Sequence, residues 1–156
     1  MQKPVLILHN IRSAHNVGAI FRTADAAGVG AVYLTGYTPA PVDRFGRVQK
    51  EIQKTALGAE QNLAWEKKAK PVPLIQKLQK AGYEVIALEQ APGAVSYKNV
   101  RRTKPLALVV GNEVRGLSKQ ILSMCDKIAD IPMRGKKESL NVSVATGVAL
   151  FRLLNI

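Results

Sequence analysis

Apolar and polar positions come in blocks along the chain, and the blocks change period. Residues 5–8, Val-Leu-Ile-Leu, form a short all-apolar run of strand formers, the pattern of a strand covered on both faces. Residues 10–16 are polar and read as a loop. Residues 18–27 carry Ile20, Ala24 and Ala27 at helical spacing and stop at Gly28-Val29-Gly30, which predicts a helix. A second strand is expected over 31–35. A long loop follows over 36–46, where two prolines and two glycines interrupt any period. A short helix is expected within 48–60. Residues 71–81 are amphipathic, with Leu74, Ile75 and Leu78 on one side and Gln76, Lys77, Gln79 and Lys80 on the other; Gly82 ends the segment.

The second half repeats the alternation. Residues 83–88 read as a strand, 89–104 as irregular chain, and 106–110 as a solid apolar strand ending in Gly111. A turn covers 112–117, and Ser118 can cap a short helix running to Met124. A strand over 128–131 leads to a basic, glycine-containing loop at 134–139. Residues 141–154 read as a terminal helix, although Val142, Val144, Thr146 and Val148 are β-branched, because a strand of that length is rare. Strands alternating with helices predict an α/β fold, a mostly parallel sheet with helices on both faces. Such sheets bind ligands beyond the carboxyl ends of their strands. Three loops there carry chemistry: 10–16, 111–116 and 132–141. The terminal helix is apolar on nearly every side, which fits either deep burial in the chain or a second packing partner such as another subunit.

Composition narrows the class. A chain of 156 residues, 47% apolar, has enough material for one core and is read as a single domain over 1–156. A single cysteine excludes a disulfide framework, two histidines argue against a His-rich metal site, and no metal is expected. No apolar run approaches the roughly 18 residues of a membrane span, so the expected location is the cytoplasm and no membrane partner is expected. The net charge of +12 changes the picture most: such an excess attracts polyanions, nucleic acid above all. The excess is uneven. Between Asp43 and Lys104 basic residues outnumber acidic ones more than two to one, whereas the first 42 residues hold few charges.

The three loops offer candidate chemistry. Arg12, Asn16 and Arg22 can form a donor-rich corner for a phosphate or a developing oxyanion; in the plainer reading Asn16 caps the helix and Arg22 is solvated. Glu113 and Arg115 stand between Gly111 and Gly116, where Glu113 can accept from a hydroxyl or an amine, or simply pair with Arg115. Ser139 and Asn141 open the terminal helix as caps or as groups facing a ligand. Neither the dinucleotide-binding pattern G-x-G-x-x-G nor a P-loop is present, so NAD and ATP are disfavoured. His9 is read as ending a strand and His15 as a loop residue, neither with an orienting carboxylate nearby in sequence. Cys125 reads as inert packing. Trp65, in a basic stretch, is either a base-stacking side chain or partly buried.

Together the three segments resemble the SpoU (TrmH-like) branch of the SPOUT RNA methyltransferases. The pattern N-x-R-S-x-x-N-x-G-x-x-x-R-T-A stands at 10–24, V-x-G-N-E-x-x-G-L at 109–117 and I-P-M-x-G-x-x-x-S-L-N-V-S-x-A at 131–145, in order, across nearly the whole chain. The resemblance implies a C-terminal trefoil knot, which general topology rules do not anticipate. It implies S-adenosylmethionine as the cofactor, a homodimer through the C-terminal helix, and methyl transfer to a ribose 2′-hydroxyl of tRNA or rRNA. It implies a catalytic set of Arg22, Asn16, Glu113, Ser139 and Asn141, and cofactor contacts around Leu88, Gly111, Ile131 and Leu140. Arg12, Arg44, Arg47, Lys54, Arg115 and Lys136 are the residues expected to meet RNA. Arginine is a poor base, so Arg22 is read as stabilising a developing alkoxide and gripping the adjacent phosphate. A non-catalytic RNA-binding protein on the same fold, and an RNA base methyltransferase, are the alternative readings.

Overall fold

A computed structural model describes residues 2–156. Its centre is a seven-stranded sheet in the order β3-β2-β1-β6-β4-β7-β5, and every pairing between these strands is parallel. The strands are β1 (Val5–His9), β2 (Ala31–Thr35), β3 (Ala64–Lys68), β4 (Glu84–Leu88), β5 (Val95–Ser96), β6 (Leu106–Val110) and β7 (Lys127–Asp130). The helices are α1 (Ala14–Ala26), α2 (Lys50–Ala56), α3 (Ala59–Asn62), α4 (Pro71–Lys80), α5 (Lys119–Met124) and α6 (Val142–Leu154).

The continuous apolar runs of β1 and β6 follow from their central place, because side chains of alternating direction both meet a helix layer. Leu6, Leu8, Leu106, Leu108 and Val110 face α1, α2, α3 and α6, where Ile20, Phe21, Ile52 and Leu150 are fully buried. Val5, Ile7, Ala107 and Val109 face α4 and α5 through Leu74, Ile75, Leu78 and Ile121. Truncating a core residue such as Leu108 to alanine is expected to cost about 2–5 kcal/mol.

Several boundaries differ from the sequence expectation. The helix expected at 18 starts at Ala14, and its cap is Ser13, whose side chain accepts from Asn16 N, so Asn16 and His15 are helical. The polarity of 14–16 marked exposure and was no evidence of a loop. Gly18 is an interior helix position. A Cβ there would lie 2.0 Å from Thr55 Oγ1 and 2.3 Å from the Ile52 carbonyl, so glycine is what lets α2 pack tightly on α1. The segment 48–60 holds two short helices instead of one, split at Leu57 and Gly58, both with positive φ.

Strand β3 was not foreseen. Its sequence, Ala-Trp-Glu-Lys-Lys, is an exposed sheet edge whose charges discourage pairing with another chain. Trp65 on it packs partly buried against the core. Strand β5 lies in the stretch read as irregular. The terminal helix is a helix despite its β-branched residues: Asn141 accepts from Ser143 N and Val144 N, and the buried Thr146 hydroxyl bonds back to the Val142 carbonyl at 2.7 Å.

Candidate active site

The chain runs β1 to β2 to β3 in one direction along the sheet and then crosses to the other side, so strand order reverses beside β1 and β6. Parallel sheets open a crevice at such a point. Four loops leave the carboxyl edge there, after β1, β6, β4 and β7.

The loop after β1 is set rigidly. Asn10 takes a positive φ of 55°, and its Oδ1 accepts from Tyr37 N at 3.1 Å. Ile11 N donates to Thr38 Oγ1 at 3.0 Å, and the buried Thr38 hydroxyl lies 2.8 Å from the Leu8 carbonyl and 2.9 Å from that of Thr35. This bracing aims the Arg12 and Ser13 backbone N–H groups at Glu113, which accepts them at 3.1 and 3.2 Å. Asn16 Nδ2 lies 3.5 Å from the same carboxylate. Asn16 Oδ1 accepts from Asn141 Nδ2 at 3.2 Å. Glu113, Asn16 and Asn141, more than a hundred residues apart at the extremes, therefore form one polar relay from the loop after β6 to the start of α6. The Glu113–Arg115 pair considered above is replaced by these contacts.

Burial pushes the Glu113 carboxyl up, but hydrogen bonds from its own backbone and from Arg12, Ser13 and Asn16 outweigh it and hold it below the usual carboxylate value. Glu113 is thus a charged acceptor already engaged with donors, suited to positioning and not to proton abstraction at neutral pH.

The loop after β6 folds on Asn112, whose Oδ1 accepts from Val114 N at 2.9 Å and Arg115 N at 2.7 Å. Its Nδ2 donates to the Asn10 carbonyl and the Tyr37 hydroxyl. Glu89, just after β4, accepts from Leu117 N at 2.9 Å, and Gln90 Nε2 donates to the Glu138 carbonyl at 3.0 Å. Gly116 has φ +65°, and a Cβ on it would sit 2.1 Å from Glu89 Oε2. Glu89 and Gln90 thus tie three loops together; the only hint in the sequence was polar residues directly after an apolar strand.

The loops after β4, β6 and β7 border a cavity of about 300 Å³, within the size range of small-molecule sites. Leu88, Gly111, Ile131 and Leu140 all line it, as do Glu113 and Ser139. Its charge is opposite to that of the chain. Glu89, Glu113, Asp130 and Glu138 line it, and among the described residues no lysine or arginine does, although Lys and Arg outnumber Asp and Glu 23 to 11 overall. Among the described residues these carboxylates do not gather as a metal-binding group. A cavity with this lining favours a cationic, partly apolar guest.

Asn112, Glu113 and Val114 also form one wall of a wider groove of about 790 Å³ that holds Arg12, Ser13, Asn16, Tyr37 and Arg115. The groove is cationic where the cavity is anionic. Arg22 is in neither. It is exposed and lines a separate hollow with Lys54, Thr55, Leu57 and Phe151. The corner expected from Arg12, Asn16 and Arg22 is therefore not formed within one chain, because six helical residues turn Arg22 by roughly 240° from Asn16. Arg44 and Arg47 stand exposed on the loop after β2, Lys54 lies 3.4 Å from Glu51, and Lys136 is exposed on the loop after β7.

The remaining candidates are quiet. His9 ends β1 with Nδ1 2.9 Å from Thr35 Oγ1, and burial keeps the imidazole below its usual value. His15 pairs with Glu51 on the helix surface. Burial pushes the Cys125 thiol up to about 12, which leaves it unreactive.

Comparison with known proteins gives the same picture. Residues 3–151 match the model of the SpoU rRNA Methylase family. The chain is 36% identical over 151 residues to a tRNA (guanosine(18)-2′-O)-methyltransferase of Aquifex aeolicus, covering 96% of this chain and 68% of the relative. It is 35% identical over 150 residues to the 23S rRNA (guanosine-2′-O-)-methyltransferase RlmB of Yersinia pestis, covering 96% and 58%. The structure of an AdoMet-bound rRNA methyltransferase from Sinorhizobium meliloti superposes with a TM-score of 0.89 at 31% identity, covering 99% of this chain and 57% of that one. The chain thus spans roughly three fifths to two thirds of the length of these proteins. With the second and third motifs lining one cavity and the first joined to them through Asn16, this chain belongs to the SpoU rRNA Methylase family.

Proposed function

We propose that this chain is an S-adenosylmethionine-dependent RNA methyltransferase acting on a ribose 2′-hydroxyl of tRNA or rRNA. The observation that carries this reading is the acid-lined cavity sharing a wall with a cationic groove. A positively charged small molecule suits the first and a polyanion suits the second. The activities named for the Aquifex and Yersinia relatives, and the AdoMet in the Sinorhizobium structure, support the same chemistry.

The cavity fits this cofactor. Leu88, Ile131 and Leu140 offer apolar walls, Glu89, Asp130 and Glu138 favour positive charge, and Gly111 keeps the floor open. A Cβ on Gly111 would lie 2.7 Å from the Leu117 side chain and 2.9 Å from Gly116 backbone. When bound, S-adenosylmethionine supplies a methyl group activated by positive charge on its sulfur. The protein's work is then positioning and charge control. Glu113 and Asn141 hold Asn16 at the wall between cavity and groove, with Ser139 beside them on the cavity side. Arg22 grips the phosphate next to the target ribose and stabilises the negative charge growing on the 2′-oxygen, whose proton leaves to that phosphate or to water.

Arg22 meets this task in a homodimer. Val144, Val148 and Phe151 line one side of α6 and are 50%, 38% and 38% exposed, and Phe151 borders the hollow that holds Arg22. Pairing two copies over this stripe covers it and presents Arg22 to the substrate at the partner's cavity. We also propose that the segment from 131 onward threads the preceding chain as a trefoil knot. The Gln90–Glu138 hydrogen bond and the shared cavity, which hold loop 131–141 against the loops after β4 and β6, support this. Among the described residues no helix is long and apolar enough to cross a membrane, and a tRNA or rRNA substrate argues for a cytoplasmic location.

The test is incubation of the purified protein with radiolabelled S-adenosylmethionine and total tRNA or rRNA from cells lacking it. Label in alkali-resistant linkages is the expected result. Label on a base points to base methylation, and RNA binding without transfer points to a binding protein.

A further inference from the structure

The loop between β2 and α2 ends in a small, tightly built hairpin. Val42 and Val48 form an antiparallel bridge, Gln49 N donates to the Pro41 carbonyl and Asp43 N to the Arg47 carbonyl, both at 2.9 Å. Asp43 organises the tip: its Oδ1 accepts from Phe45 N at 2.9 Å and Arg47 N at 3.0 Å, and its Oδ2 accepts from Arg47 Nε at 2.8 Å. Gly46 closes the turn with φ +78°. This scaffold displays an aromatic ring at its tip. Phe45 is 67% exposed, and its ring carries the Arg44 guanidinium at 4.7 Å and the Arg47 guanidinium at 5.0 Å from the centroid. The ring belongs to neither buried cluster of the described residues.

We infer that Phe45, with Arg44 and Arg47, is a stacking platform for an unpaired nucleobase of the RNA, next to the nucleotide that is methylated. The inference rests on the RNA methyltransferase reading and adds to it a residue that selects among RNAs. Three observations carry it. Aromatic rings and guanidinium planes are the surfaces on which unpaired bases stack, and here they are joined in one unit. The hairpin is held in place before binding by Asp43, so little freedom is lost when a base docks. The loop also starts at the groove. It leaves β2 at the carboxyl edge of the sheet, and Tyr37 at its root lines the groove with Arg12 and Arg115. Tyr37 on the groove wall and Phe45 at the hairpin tip thus belong to one loop. A second copy of this chain is the poorer occupant, since two guanidiniums flank the ring and the chain itself carries +12.

The test uses the full chain and two RNAs, a hairpin with an unpaired loop and a blunt duplex of the same stem. Phe45→Ala is expected to weaken binding to the hairpin by about 5- to 150-fold, the range for loss of one stacked base, and to leave duplex binding unchanged. Phe45→Trp is expected to bind the hairpin like the natural protein, with its added indole emission quenched by the hairpin and not by the duplex. Equal hairpin affinity for Phe45→Ala and the natural protein overturns the platform, as does equal weakening toward both RNAs. A fall in sedimentation coefficient with Phe45→Ala overturns it in favour of a contact between copies. Methylation by the natural protein is measured alongside. Methylation without a Phe45 effect sinks the platform alone, whereas an absence of any transfer by the natural protein sinks the enzymatic reading.

Discussion

Two regions at one edge of the sheet differ in how they are built and in charge. The cavity is bordered by three loops, after β4, β6 and β7, that depend on one another. Glu89 holds Leu117, Gln90 holds Glu138, and carboxylates line the space. The groove and the hairpin beyond it are cationic; the groove is held by Asn112, which bonds Asn10 and Tyr37 across the chain, whereas the hairpin is stabilised locally, by Asp43 over four residues. An acid-lined pocket can hold a small positively charged molecule. An open basic surface can receive a long polyanion from solution. The wall they share, with Asn112 and Glu113 facing both, is where a small donor and a ribose can meet.

The sharpest way to break this division is Arg22→Ala. Transfer should fall by about 100-fold or more, the scale for losing one donor to a developing oxyanion, while calorimetry shows unchanged cofactor affinity. Retained turnover removes Arg22 from the chemistry. Gly111→Ala should damage only the cavity. The added methyl overlaps Leu117 and the Gly116 backbone, so cofactor binding should drop at least about tenfold and chemical denaturation should show a loss of about 1–3 kcal/mol, with RNA affinity kept.

Glu113→Ala strikes the wall and should lower both functions together. It leaves the Arg12 and Ser13 N–H groups without their acceptor, at a cost of about 1 kcal/mol in stability. The same carboxylate sets a pH signature. Its folded value lies below the unfolded one, so its contribution is complete above the unfolded value of about 4.3 and is lost as the pH falls through the folded value. Stability measured against pH should therefore fall less steeply on acidification in Glu113→Ala than in the natural protein. The smallest effect is expected from Arg44→Ala. It should lower RNA affinity a few-fold and reduce the slope of log affinity against log salt by about one, with no change in cofactor binding.

The two regions were not equally legible. Where an element is buried on both faces, its sequence is one apolar run, and β1, β2 and β6 stand within one residue of expectation. Caps that act over three residues were also readable, Ser118 on α5 and Asn141 on α6. Exposed elements were not. The edge strand β3 has the composition of a loop, and the first turn of α1 looked like one, because an exposed helix or strand needs no apolar period. Within the site, Glu113, Ser139 and Asn141 stood out by motif. Glu89, Asp130 and Glu138 did not, since nothing near them in sequence shows that they line one space.

The sequence by itself determined the alternation of strands and helices, the excess of positive charge and the three motifs, all properties of residues within about a dozen positions of each other. Only the tertiary structure decided that Glu113 meets Asn16 and Asn141, that the cavity is acidic inside a basic protein, and that Arg22 faces away from its own chain's cavity. Those outcomes depend on which loops a parallel sheet brings side by side and on which way each helical residue turns. Neither is written in local pattern.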